Sequence, residues 1–227
     1  MAANYLHGVE TIEVQTGARA VNLVKTGVIG LVGIAPMGES NKPILVLGYK
    51  DAAQFGSNIP GFSIPQALDA ILVNGGSAVI VVNVFDETKH TTQETAESQT
   101  VVDGALSLSY APIGVVTVLD AQGDPVAYQD GVDYKIDDYG NFKVLSSAIT
   151  NGTVLKFTYK RLDQTKITNQ DIIGTIDSVT GEYSGMKCWL LCNNLFGFSP
   201  KILIAPSFSY VTQIVTELDS YAERFRG

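Results

Sequence analysis

Two textures alternate along the chain. Lys25–Ile34 is a run of Val, Ile, Leu and Gly without polar alternation, the pattern of a strand buried on both faces. Pro43–Leu47 and Ala78–Val84 repeat it. Between them, Lys50–Phe55 reads as a brief helix stopped by Gly56. Ser63–Gly75 reads as an amphipathic helix, with apolar positions at Ile64, Ala67, Leu68, Ile71 and Leu72. Ser63 stands where an N-cap is wanted, Pro65 falls in the first turn and Gly75 closes the end. Strand, helix, strand in this order predicts a right-handed crossover, hence an α/β fold with a partial, mainly parallel sheet and flanking helices.

The texture then changes. Asp86–Gln99 is polar, rich in Thr, Glu and Gln, and reads as a linker. From Asp103 to Arg161 come short β-branched and aromatic runs, at Gly114–Leu119, Val132–Ile136, Asn141–Leu145 and Thr153–Tyr159. Turn chemistry separates them at Gln122–Pro125, Asp130-Gly131, Asp137–Gly140 and Asn151-Gly152. The expectation is an all-β sandwich or barrel inserted into the α/β layer. That layer resumes near Asp163, with Asp171–Gly174 leading to a loop that ends at Gly185 and short buried strands at Cys188–Leu191 and Lys201–Ala205. Tyr210–Phe225 reads as a helix with Ser209 as its cap and Val211, Ile214, Val215, Leu218, Ala222 and Phe225 on one face. The expected division is an N-terminal arm at 1–20, a discontinuous α/β core at 21–97 plus 163–227, and an inserted β domain at 98–162. A helix with such a stripe normally leads back to a strand, so the sequence reads as part of a longer protein.

Composition narrows the functional classes. Hydrophobic residues make up 45% of the 227 and charged residues 17%, so apolar burial offsets chain entropy without disulfides or metals. Fifteen Lys and Arg against 23 Asp and Glu give a net charge of -8, the wrong sign for binding a phosphate backbone, and no nucleic-acid partner is expected. No apolar run approaches the ~18–20 residues of a membrane-spanning helix. Met1–Gly17 carries polar groups throughout and lacks the apolar core of a secretory signal.

Candidate chemistry is sparse. Gly27, Gly30 and Gly33 lie inside a strand at GxxGxxG spacing, which suits close backbone packing rather than a dinucleotide turn. Asn74–Ser77 follows a helix, the place of a C-cap and not of a phosphate cradle. His7 and His90 are the two histidines, and neither a GxSxG elbow nor a Ser-His-Asp set can be assembled from the spacing. Asp86-Glu87 and Asp137-Asp138 read as solvated turn carboxylates. Cys188 and Cys192 have neither redox nor zinc spacing and read as buried thiols, Lys187 activating one only at an open site. Asn151-Gly152-Thr153 reads as a turn. No catalytic, cofactor-binding or metal-binding residue is expected, and no cofactor.

Read together, several of these segments resemble the contractile tail sheath proteins of bacteriophages and R-type pyocins. The resemblance rests on His7-Gly8-Val9, Thr16–Arg19, Val28–Pro36 with Asn41-Lys42-Pro43, Asp171–Gly174 with Thr180-Gly181, and Ser199–Pro206. It implies a structural, non-enzymatic subunit that polymerises with copies of itself around a tail tube, contacts baseplate and tail terminator proteins, and contracts to drive the tube through a target envelope. It places the protein in the virion tail after assembly in the host cytoplasm, without direct membrane insertion. The implied core is subtilisin-like in fold only. The β-branched arm residues Val9, Thr11, Ile12, Val14 and Thr16 would then add as a strand to a neighbouring subunit. The alternatives are another tail component or adhesin with a host-binding β domain, or an α/β nucleotide-binding enzyme.

Overall fold

The computed structural model describes residues 27–76, 78–126 and 128–226. The chain first lays down β1 (Ile29–Gly33), β2 (Pro43–Val46), α1 (Tyr49–Ala52), α2 (Ser63–Val73) and β3 (Val79–Asn83). Six antiparallel strands follow: β4 (Thr91–Thr100), β5 (Ala105–Ser107), β6 (Ile113–Leu119), β7 (Tyr134–Ile136), β8 (Asn141–Val144) and β9 (Val154–Leu162). The chain returns through α3 (Asn169–Ile173), a 3-10 helix at Gly185–Leu191, α4 (Cys192–Phe196), β10 (Ile202–Ile204) and α5 (Thr212–Arg226).

The first sheet has the order β10-β1-β3-β2. β1 runs parallel to β3, from Ile29 opposite Val79 to Gly33 opposite Asn83, and parallel to β10; β2 closes the other edge antiparallel. Every residue of β3 is buried, the four aliphatic residues Val79–Val82 as a strand covered on both faces requires, and Asn83 at its end as well. β2 is an edge strand in which only Val46 is fully buried, so the expectation of burial on both faces fails there. The sheet separates two apolar layers. Leu31, Val79 and Val81 face Phe55, Ile64 and Leu68 on one side. Val32, Ile80 and Val82 face Met186, Trp189, Cys192 and Ile214 on the other. Each aliphatic side chain buried in these layers contributes about 1.5–3 kcal/mol.

Two glycines in β1 permit this packing. A Cβ on Gly30 would stand 2.9 Å from both Leu203 and Pro200, and one on Gly33 would stand 2.4 Å from Ser63 Oγ. Ser63 is not the N-cap of α2: Phe62 takes that position, with no side-chain cap. The Ser63 hydroxyl instead accepts the Ile34 N–H at 3.2 Å, while Ile34 O accepts from Ser63 N and Ile64 N. The start of the helix is thus tied to the end of β1. Its other end is a Schellman closure, in which Gly76 N donates to Ile71 O and Gly75 N to Leu72 O, Gly75 having φ +73°.

The antiparallel strands form two sheets, β4-β9-β6 and β5-β8-β7. They share a core that includes Val101, Leu106, Val118, Tyr134, Phe142, Leu155, Phe157 and Tyr159. Here two readings need correction. The polar stretch 86–99 is not simply a linker, because from Thr91 it is β4, paired with β9 along its length; β4 therefore runs across the boundary expected at 97/98. Cys188–Leu191 is not a strand but part of the 3-10 helix, whose buried Gly185, Met186, Cys188 and Trp189 face the sheet.

Candidate functional site

In parallel α/β sheets, ligands usually enter beyond the carboxyl ends of the strands. At the ends of β1 and β3 that space is filled by the protein's own groups. Asn83, 1% exposed, accepts the Ala35 and Phe85 N–H groups on Oδ1, both at 3.0 Å. Its Nδ2 donates to Ala35 O at 3.3 Å and Met37 O at 3.1 Å. Ser40 Oγ closes the other side by donating to Phe85 O. All four hydrogen-bonding positions of the amide are therefore used to join the two strand ends.

The second polar centre lies where the chain crosses between its two layers. His90, expected in an exposed linker, is 2% exposed. Its Nδ1 accepts the Asp86 N–H at 3.0 Å, and its Nε2 lies 3.6 Å from Asp171 Oδ2 on α3. The ring also packs against Phe85, with centroids 6.0 Å apart. The backbone of His90 joins both crossings: its N donates to Asp86 O at 2.8 Å, and its O accepts from Asp163 N at 2.9 Å. An acid–base catalyst needs one ring nitrogen directed at a substrate, and both nitrogens here face protein groups. Sequence reasoning missed this centre because the residues on either side of His90 are polar, and the burial comes from α3 and Phe85.

Asp163, beside the junction, accepts from Thr165 N and Oγ1 and from Thr92 Oγ1. The Thr165 and Thr92 hydroxyls hold its carboxyl down at about 2. Thr168 and Asp171 form a reciprocal capping box at the start of α3.

A third centre ties the antiparallel sheet to the loop before β6. Glu97 Oε1 accepts from Ser109 N at 2.9 Å, Ser109 Oγ at 2.8 Å and Gln99 Nε2 at 2.8 Å, while the buried Tyr159 hydroxyl donates to Oε2. Burial pushes the Glu97 carboxyl up, but the donors Tyr159, Gln99 and Ser109 outweigh it and leave it below the usual range. Tyr159→Phe is expected to cost about 1–2 kcal/mol at neutral pH, the lower part of the range for bonds to charged groups because Glu97 is only partly shielded. The folded-state value is the lower one, so this stabilisation is complete above the unfolded carboxyl's ~4.3 and is lost as pH falls through the folded value. Urea titrations of wild type and variant should therefore converge in acid; a constant difference down to about pH 2 would contradict the assignment.

The remaining candidates have structural surroundings. Cys188 and Cys192 are fully buried, and burial pushes both thiols up to about 12. Cys188 Sγ lies 3.2 Å from Asn41 O. Lys187 does not activate it: its Nζ pairs with Glu217 at 2.6 Å and stands over the Tyr221 ring. Iodoacetamide at about pH 8 is expected to modify neither thiol in the folded chain and both in urea; rapid native labelling would overturn this. Asp86 Oδ1 caps Thr88, Glu87 pairs with Lys160 at 2.7 Å, Asp137 accepts the Tyr139 and Asn141 N–H groups, and Asp138 accepts from Ser57 Oγ at 2.5 Å. The arm residues Val9, Thr11, Ile12, Val14 and Thr16, and His7, lie outside the described residues. Among the described residues no group of three or more His, Cys, Asp or Glu side chains is placed to hold a metal ion, and no helix is long and apolar enough to cross a membrane.

No family model matches the chain. A solved structure, the sheath tail protein from Desulfitobacterium hafniense, aligns at TM-score 0.42 and 13% identity, covering 98% of this chain and 50% of that one. The tail sheath protein of Burkholderia phage BcepMu is 42% identical over 227 residues, covering 98% of this chain and 47% of that protein. The chain thus spans about half the length of the curated relative it matches. It is, over nearly its whole length, a homologue of a phage tail sheath protein, and the likeness read from its motifs holds.

Proposed function

We propose that the chain is a structural, non-enzymatic part of a contractile phage tail sheath, which polymerises around a tail tube and contracts to drive that tube through a cell envelope. The observation that carries this reading is the 42% identity to a phage tail sheath protein across 98% of the chain. Its partners would be further copies of the subunit, the tube, and baseplate and terminator proteins, and its location the virion tail after assembly in the host cytoplasm. The α/β elements would form the sheath core, with a subtilisin-like arrangement, and the antiparallel strands an inserted domain that begins at Thr91 rather than residue 98. The filled strand ends and the committed nitrogens of His90 support a framework role for these polar groups.

Mass spectrometry of purified tails from the phage that encodes the chain tests this reading. Peptides from it should be among the most abundant, as a helical polymer requires, and their absence from intact tails would overturn the assignment. Within the same reading, Val9, Thr11, Ile12, Val14 and Thr16 add as a strand to a neighbouring subunit. Proline at Ile12 and Val14 is expected to abolish sheath assembly without lowering the thermal midpoint of the unassembled protein. Normal sheaths from that variant would remove the arm from the account.

A further inference from the structure

The His90 centre is more than a buried packing contact. With Nδ1 accepting the Asp86 N–H, the neutral ring carries its proton on Nε2, directed toward the Asp171 carboxylate. The Asp86 N–H therefore depends on an acceptor that exists only while the ring is neutral. A proton on Nδ1 would place two donors face to face at the 3.0 Å now spanned by a hydrogen bond. The same proton would turn the Nε2–Asp171 contact into an ion pair.

We propose that His90 is a protonation-controlled latch on the crossing between the α/β sheet and the antiparallel layer: neutral, it closes the 86–90 turn; protonated, it releases that turn and shifts its hold to α3. The charged groups on the surrounding elements fit this exchange. Its own turn carries Asp86 and Lys89, which face each other at 3.4 Å, and Glu87, which is paired with Lys160 of β9. The returning crossing carries Asp163, held by Thr92 and Thr165, and Lys166, whose Nζ donates to Thr91 O at 2.6 Å. α3 presents Asp171, whose Oδ2 already accepts from Thr168 N and Oγ1 and can take a third donor. Phe85 covers one side of the ring. Asp171 is thus the carboxylate at the ring, on the side opposite the Asp86 N–H that Nδ1 accepts.

The latch sits at a mechanical junction. The same residue pairs its backbone with Asp163, so the Nδ1 bond lies beside the hydrogen bond that joins the two passages between the layers.

The test uses the full chain with 15N-labelled histidine, followed from about pH 8 to about pH 5, the span in which imidazole charge changes. Ring spectra read the protonation of Nδ1, and amide exchange corrected for intrinsic rate reads the Asp86 N–H. The expected result is that Asp86 protection falls about tenfold, the equivalent of one hydrogen bond, as Nδ1 becomes protonated. His90→Asn offers an acceptor near the Nδ1 position but does not titrate, and it should hold Asp86 protection constant. Protection unchanged in the wild type while the ring protonates would overturn the proposal, as would a ring that stays neutral throughout. An equal fall in His90→Asn would also overturn it. If that variant does not fold, the wild-type titration decides alone.

Discussion

Gly174→Ala is expected to be the most damaging glycine-to-alanine change among the described residues, costing at least about 4 kcal/mol and leaving little folded protein. Gly174 ends α3 with φ +79°, and a Cβ there would lie 1.7 Å from Ser184 O and 2.8 Å from the Gly185 Cα. The obstruction is backbone, which no rotamer can clear. Ser184 is itself held, since its N donates to Thr175 O at 2.9 Å and its Oγ accepts from Thr175 N at 2.8 Å. Gly185 is equally confined, its hypothetical Cβ standing 2.5 Å from Ile172 O. Gly181 supplies the control: it has φ +73° but nothing within 4 Å of the added atom, so Gly181→Ala should cost only the ~1–2 kcal/mol of a left-handed alanine. Urea unfolding of the two variants separates strain from collision. Equal losses would show that backbone contact between 174 and 184 does not govern this part of the fold.

Asn83→Leu comes next, at about 3–5 kcal/mol, because it orphans the Ala35 and Phe85 N–H groups in a dry setting where each costs about 1–3 kcal/mol. Asn83→Asp is the more informative change. It keeps the acceptor for both N–H groups but turns the donor toward Ala35 O and Met37 O into a second carboxylate oxygen. An aspartate in that position is raised above its unfolded value, so its destabilisation grows as pH rises through the unfolded value and is relieved in acid by a proton that restores one donor. Thermal midpoints measured across pH should show Asn83→Asp approaching wild type only at the acid end. A pH-independent loss would mean that the site is wetter than 1% exposure implies.

What could be read from the sequence was apolar continuity. β1 and β3 carry aliphatic and glycine residues without polar alternation up to Asn83, and the ends of α2 are marked by Ser63 and Gly75, so the crossover was legible even though Ser63 serves the neighbouring strand instead of its own helix. β4 was not legible. Thr91–Thr100 offers β-branched threonines but no apolar face, since its stability comes from pairing with β9 and not from burial, and a bulge between Glu94 and Glu97 breaks what alternation it has. Cys188–Leu191 reads as a strand for the opposite reason: a short apolar run is compatible with either a strand or a helical turn, and only packing against the sheet decides. Of the candidate centres, Asn83 carried no local signal at all. Its side chain matters because residues 35, 37 and 85 converge on it, which is a property of the crossover and not of the text around position 83.

The meeting of the two crossings bears on how this architecture tolerates change. Thr92 Oγ1 donates to Asp163 Oδ2 across 71 positions of sequence, beside the backbone bond between His90 and Asp163. To the α/β sheet, everything between those residues is a single closed loop. The entropy of closing a loop grows only with the logarithm of its length, so doubling or halving the antiparallel layer would alter the sheet's folding free energy by only ~0.6 kcal/mol. By this closure term alone the sheet is nearly insensitive to the length carried there, and what it does feel is direct contact, as of Asp138 with Ser57 and of Ile113 with the α/β core.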